Sequence, residues 1–469
     1  MRKINHKYSL VVLFIAISCF CGCTKFVKVE PPKSQLLGEL VFEEIGTAEA
    51  ALAGVYSQMR DGSNGMLYGG SMSMPVYMGK YADELISYQN LGQGYGENFY
   101  KNQLFAHTED IYSLWNLTYN QVYYANAIVE GAERSVKMSE DQKAKVKGEA
   151  LFIRCLLHFY MVNLFGDIPY VTSTDYQVNR NQSRLAVNKV YENIISDLKI
   201  AEQLLGDNYT SEGRVRPNKY VVRALMARVY LYTQDWINAE AMASLIIDHN
   251  STYALEGDLN KVFLKESTGT IWAFQPALEG GNAEEGFTYI LVSSPVPSLQ
   301  SISHSLMDEF EAGDKRRQQW IGVFSENGNT WYFPYKYKIR DNTGNMITKE
   351  FPVVMRLEEQ YLVRAEARAQ QEKIPEAQLD LNTIRNRAGL ADTDADSRTT
   401  LLNAILHERQ VELFTEFGHR FFDLKRMGKA DEVLGTIKQN WNPEDKLLPI
   451  PEKELLVNPK LNPQNPGYN

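Results

Sequence analysis

Cysteine, histidine and long apolar runs are all scarce in this chain, and each scarcity removes a class of protein. The four cysteines are Cys19, Cys21, Cys23 and Cys155, three of them within the first 23 residues. That leaves no disulfide framework for the body of the chain. Cys155 sits in a strongly apolar stretch and is expected to be an inert core thiol. The seven histidines are scattered and suggest no metal cluster, so no metal and no cofactor are expected. Basic residues are outnumbered, 49 Lys and Arg against 58 Asp and Glu, for a net charge of −9. Nucleic-acid binding wants clustered Lys and Arg, so that class is excluded as well. There is no Gly-x-Ser-x-Gly elbow and no phosphate loop. One apolar run stands out, Leu10 to Phe20. It is too short to cross a bilayer, which takes roughly 20 apolar residues, and no later segment is long and apolar enough.

What is present begins with that run. Arg2, Lys3 and Lys7 precede it, and Phe20-Cys21-Gly22-Cys23 follows, with a small residue just before a cysteine. This pattern reads as a secretory signal over 1–22, with Cys23 as the lipidated first residue of the mature chain. Two or three acyl chains would hold it to a membrane, since each buried CH₂ contributes about 0.8 kcal/mol. Residues 23–45, with Pro31-Pro32, read as lipidated N-terminus and tether.

Helical periodicity then takes over. Thr47 is placed as an N-cap, with Ala50 to Tyr56 continuing the helix. Ile111, Trp115, Thr118, Val122, Ala125 and Val129 recur at helical spacing and mark one buried stripe. Lys147 to Phe165 is apolar on nearly every side, so it must be covered all round and belongs at the centre of a bundle. Gly166 and Pro169 stop it. Two segments read as helical hairpins, Pro217–Tyr232 with Trp236–Asp248, and Val354–Gln371 with Pro375–Arg387. Ala224, Ala227, Ala239, Ala365, Ala367 and Ala377 lie near the turns and allow close packing. The pattern is similar to degenerate tetratricopeptide (TPR) hairpins, whose period is about 34 residues. The expected fold is a mainly α, TPR-like α/α superhelix with loop-rich insertions and small β elements. One domain over 46–469 would carry helices at about 46–60, 110–250 and 354–428. Residues 251–353 would be an inserted stretch of loops and short strands, and Gly62 to Gln103 a second irregular one. Long irregular stretches in a compact domain usually carry function.

Catalytic signatures fail on inspection. Glu408, Glu412 and Glu416 share one helical stripe, whereas a glycosidase needs two carboxyl groups facing each other about 5–10 Å apart. Ion pairing with cations such as Arg409, Arg420, Lys425 and Arg426 is the expected role. His407-Glu408 begins like a zinc-protease motif but lacks the second histidine. Asp392, Asp394 and Asp396 are spaced like the start of a calcium loop, but Ser397 and Asn403 stand where its Gly and Glu should be. A solvated loop is expected there.

Binding chemistry has more behind it. Tyr88, Asn90, Tyr95 and Asn98 combine aromatic faces with amides around Gly92, Gly94 and Gly96. Sugars present an apolar face that stacks on rings and hydroxyls that amides can both donate to and accept from. Phe287, Tyr289 and Trp320 form a second candidate set. Trp272 and the run Trp331, Phe333, Tyr335, Tyr337 read as strands packing inward.

Several segments together resemble the SusD/RagB family. They are Trp115–Glu130, Gly148–Pro169, Gly213–Tyr232, Arg356–Leu390, His407–Arg426, Leu448–Pro451 and Gln464–Tyr468, in order along the chain. The resemblance implies a non-catalytic lipoprotein of the outer membrane, facing the cell surface. Such a protein would capture glycans or other nutrients and pass them to a SusC-like TonB-dependent transporter. A binder of peptides or another non-glycan nutrient is the second reading, and a glycoside hydrolase the third. None of the matching segments is itself a ligand site.

Overall fold

The computed structural model describes residues 40–61, 65–88, 96–296, 299–341, 343–344 and 347–468. Cys23, Asn90 and Tyr95 lie outside them. Among the described residues twelve helices have eight residues or more. They are α1 (Ile45–Asp61), α2 (Met74–Tyr81), α3 (Glu109–Arg134), α4 (Glu140–Phe165), α5 (Val187–Leu204), α6 (Lys219–Tyr232), α7 (Trp236–Ile247), α8 (Leu357–Gln370), α9 (Ile374–Arg387), α10 (Arg398–Leu413), α11 (His419–Arg426) and α12 (Ala430–Ile437). From α3 to α9 each helix packs on the next, which is the TPR-like superhelical order.

By length and composition α4 is apolar enough to cross a membrane, which differs from the expectation for this part of the chain, yet that apolar stretch is buried inside the protein. From Val146 to Phe165 every residue of α4 except Lys147 is buried, so its length and hydropathy mark the centre of a core. Ser139 caps it, accepting from Gln142 N while the Gln142 side chain accepts from Ser139 N. Gly166, at φ +72°, closes its C-terminus. Arg154 ties it to α5 through Asp197 at 2.7 Å and to α3 through Asn126 at 2.8 Å. The Cys155 thiol is buried and free.

Both hairpins form. The six alanines near their turns are almost completely buried, which is what lets the backbones approach. Asn218 caps α6 by accepting from Val221 N at 3.0 Å. The array is not broken by the insertion, because α7 packs directly on α8 although about a hundred residues separate them.

Several boundaries differ from expectation. Helix α1 starts at Ile45, and the Thr47 hydroxyl donates to the Glu44 carbonyl instead of capping. Val353–Arg356 is a strand, pairing antiparallel with Thr270–Ala273, so α8 begins only at Leu357. β-branched Val353 and Val354 suit that strand. The stretch between Gly62 and Gln103 contains α2, where Pro75 opens a turn whose eight residues are all buried. Helix α10 ends at Leu413, so Glu416 lies beyond the stripe it was assigned to, between Thr415 and Phe417 at positive φ.

The insertion carries short two-stranded sheets. Leu85–Ser87 pairs with Gln300–Ile302, and Ile321–Glu326 forms a hairpin with Asn329–Pro334. Trp272 is fully buried, its indole N–H donating to Val215 O at 3.2 Å. Of the aromatic run after it, Phe333 and Tyr337 are buried while Trp331 and Tyr335 stay half-buried. The segment 391–396 is a loop with Asp392, Asp394 and Asp396 exposed.

A candidate ligand-binding cleft between two loop regions

Strand Leu85–Ser87 leaves the N-terminal half and pairs with strand Gln300–Ile302 of the insertion. That pairing brings the two candidate regions together. Tyr88 continues the ladder through Leu299 O at 3.0 Å, and its hydroxyl meets Ser301 Oγ at 3.0 Å. Gln300 Nε2 donates to Thr288 O at 3.0 Å, which fixes the short helix Glu284–Tyr289 beside the strand.

That helix turns its residues three ways. Phe287 points outward and is 47% exposed, with the Arg340 guanidinium 4.7 Å from its ring centroid. Tyr289 points inward against Val76 and Leu85. Gly286 lies so close to the backbone that a Cβ there would stand 2.1 Å from Ile339 O, which excludes a side chain. Glu284 accepts from the Tyr68 hydroxyl at 3.4 Å. Glu285 is half-buried, with one carboxyl oxygen sealed from solvent and without a hydrogen-bond partner among the described residues. Burial, helped by the carboxylates of Glu284, Glu350 and Glu416, pushes Glu285 up to about 8.

Beside this helix opens a cleft of about 410 Å³, lined among others by Arg60, Asp61, Tyr68, Leu278, Asn282 and Glu284. Its walls are held by bonds already made. Arg60 forks onto both carboxylate oxygens of Asp61 and donates to the carbonyls of Gln275 at 2.9 Å and Pro276 at 3.3 Å. Asn282 Oδ1 accepts from Lys349 N at 2.8 Å and Glu350 N at 3.0 Å.

Two candidate residues are corrected by this geometry. Trp320 is completely buried, packed against Phe263 and Phe414 and donating to Leu259 O at 2.9 Å. Tyr289 is 5% exposed and forms the floor beneath the helix. Neither offers a ring face to a ligand. Tyr88 is half-buried beside the strand, and Asn98 is half-buried on the short helix Glu97–Tyr100, its carbonyl accepting from Gln103 N at 2.9 Å; neither lines the cleft. Tyr68, Leu278 and Arg340 were missed, since nothing in their local spacing distinguishes them. Only the fold brings them together.

The carboxylate stripe belongs to the core and not to a cleft. Glu408 and Glu412 bind Arg316 at 2.6 and 2.9 Å; Glu412 and Glu416 bind Arg356 at 2.5 and 2.8 Å. Arg387 reaches Glu412 at 2.5 Å, and these groups are at most 10% exposed. Ion pairing is therefore their role, with Arg316, Arg356 and Arg387 as partners. The cations expected there pair elsewhere, Arg409 with Asp423 and Arg420 with Asp83. Glu412 is held well below the usual carboxylate range: burial alone would raise it, but the guanidiniums of Arg387, Arg356 and Arg316 prevail. Among the described residues no group of three His, Cys, Asp or Glu could hold a metal ion.

Comparison with known proteins agrees with this architecture. Residues 28–231 match the family described as starch-binding associating with outer membrane, and residues 303–468 match the SusD family. The chain is 26% identical to SusD-like protein P25 of Formosa agariphila, covering 98% of this chain and 99% of that protein. A SusD superfamily crystal structure from Bacteroides thetaiotaomicron superposes with a TM-score of 0.76 at 24% identity, covering 90% of this chain and 99% of that one. A laminarin-binding SusD-like protein superposes at 0.75 with 25% identity and the same coverage. Matched in both halves by family profiles and superposable nearly end to end on its relatives, the chain belongs to the SusD/RagB family.

Proposed function

We propose that this protein captures oligosaccharides at the outer membrane and performs no chemistry on them. It would be anchored through a lipidated Cys23, face the cell surface, and pass its ligand to a SusC-like TonB-dependent transporter. The observation that carries the reading is an open cleft where Arg60, Asp61 and Tyr68 meet residues 276–284 of the insertion, with the Phe287 ring exposed on the adjoining helix beside the Arg340 guanidinium. An exposed ring can stack on the apolar face of a sugar, while Tyr68 and Asn282 lie where hydroxyls would fall. The laminarin-binding relative supports a glycan as ligand. The candidate contacts are Tyr68, Tyr88, Asn98 and Phe287, with Asn90 and Tyr95 on the neighbouring loop.

Two features weigh against hydrolysis. Asp61 and Glu284 share the cleft, but Asp61 is gripped through both oxygens by Arg60. The carboxylates of α10 are locked in the core. The charges of Arg60, Asp61 and Glu284 give a peptide ligand its specific support. Affinity gels decide between the two. The soluble chain starting after Cys23 is run through gels carrying laminarin, starch, mannan, xylan or polygalacturonate. Retardation by a polysaccharide is expected. Free migration in every gel, with retention on immobilised peptide mixtures, would overturn the glycan reading.

A further inference from the structure

A second open cavity lies apart from the cleft. A groove of about 1020 Å³ lies between loop 102–107 and the C-terminal stretch 439–468, and it shares no lining residue with the cleft. Its lining contains no lysine and no arginine, while seven of its seventeen residues are Asn or Gln. That lining disfavours phosphate, sulfate or uronate, which call for cations, and suits neutral hydroxyls, which call for groups that both donate and accept.

Two aromatic elements frame it. Phe105 is 51% exposed, and the His107 ring stacks on it at 5.5 Å and 24°. Trp441 is half-buried, its indole N–H held by Asp431 Oδ1 at 3.1 Å and its ring braced edge-on by Tyr81 at 6.0 Å. Part of the amide lining is spent on shape. Asn440 donates to Lys101 O at 2.9 Å and Gln464 to Ile450 O at 2.7 Å, so the groove is preformed. The side-chain amides of Gln103 and Gln439, by contrast, have no partner among the described residues. Asn102, 3% exposed at the groove's base, has an Oδ1 with no hydrogen bond either.

We infer that this groove is a second saccharide site, built for a neutral oligosaccharide of several rings, with Phe105 and Trp441 as stacking surfaces and Gln103 and Gln439 as hydroxyl partners. The inference rests on the glycan reading above but on different residues. It is tested with the soluble chain by isothermal titration against β-1,3-gluco-, β-1,4-gluco-, α-1,4-gluco- and β-1,4-mannohexaose, with oligogalacturonate as the acidic probe. Phe105→Ala/Gln103→Ala is compared with Phe287→Ala, and thermal melts confirm that each variant folds. Because Phe105 and Gln103 are exposed, the first pair is expected to melt like the parent.

The expected result is that a neutral hexaose binds and that Phe105→Ala/Gln103→Ala weakens one class of binding about tenfold, the scale of losing an aromatic anchor. Phe287→Ala would leave that class untouched. If Phe287→Ala removes all binding and the groove variant none, the groove inference fails while glycan capture stands. If the groove variant alone removes all binding, the groove stands and the cleft assignment fails. Binding of oligogalacturonate alone, or of no hexaose, overturns the groove.

Discussion

The buried seam under the insertion and the open groove at the C-terminus treat polar groups in opposite ways. In the seam, Arg316, Arg356 and Arg387 meet Glu358, Glu408, Glu412 and Glu416, and each arginine bridges at least two carboxylates. In the groove, the side-chain amides of Gln103 and Gln439 have no partner among the described residues. Buried charges are tolerable only when paired and hydrogen-bonded, so the seam's dense pairing marks it as structure. Exposed amides lose little by waiting, because water satisfies them until a ligand displaces it. Glutamate is therefore a poor guide to chemistry here, and unspent amides beside rings are the better one.

The sharpest way to break that comparison is to cut the seam. Glu412→Ala leaves Arg316, Arg356 and Arg387 short of a partner in the interior. It should cost about 3–5 kcal/mol in chemical denaturation, as for one member of a buried ion pair. A loss under about 1 kcal/mol would mean that the seam is not what holds the insertion to the array. Trp320→Ala separates core from surface among the aromatics. It should cost about 3–5 kcal/mol of stability, whereas Phe287→Ala should leave the melt unchanged and weaken glycan binding about tenfold.

A smaller effect depends on pH. Burial, then the neighbouring Asp83 carboxylate, pushes Glu84 up to about 8 from an ordinary 4.5. The folded chain therefore holds a proton that the unfolded chain gives up, and stability falls as pH rises from about 4.5 to about 8. Glu84→Gln removes that titration. The variant should gain on the parent across that window, by ~1–3 kcal/mol at pH 8, with no pH-dependent gain below pH 4.5. A gain that shrinks as pH rises would contradict the assignment. The smallest effect is expected at the acidic loop. Asp392→Ala should change stability by less than about 0.5 kcal/mol, with no response to calcium in the melt of either form.

Much of the scaffold was legible from local pattern. An all-round apolar stretch could only be α4, and small residues flanking two turns gave both hairpins. The sequence pattern starts the helix at Val354, taking in three residues of the strand Val353–Arg356, because these residues run straight into the helical period of α8. Only the strand's distant partner, Thr270–Ala273, separates them. The partners of the glutamate stripe were misassigned for the same reason, since Arg316 and Arg356 lie 92 and 56 residues away from Glu408 and Glu412. The site was less legible still. Phe287 and Tyr289 are two residues apart, yet the turn of a short helix sends one outward and the other inward. The groove could not be read at all, because its amides come from two ends of the domain.

Capture without chemistry is tested most directly by incubating the soluble chain with the polysaccharide that retards it and following chain length by size chromatography. The account predicts an unchanged glycan and a saturable binding isotherm. Accumulating short products, lost on Asp61→Asn or Glu284→Gln, would contradict it and make the cleft an active site.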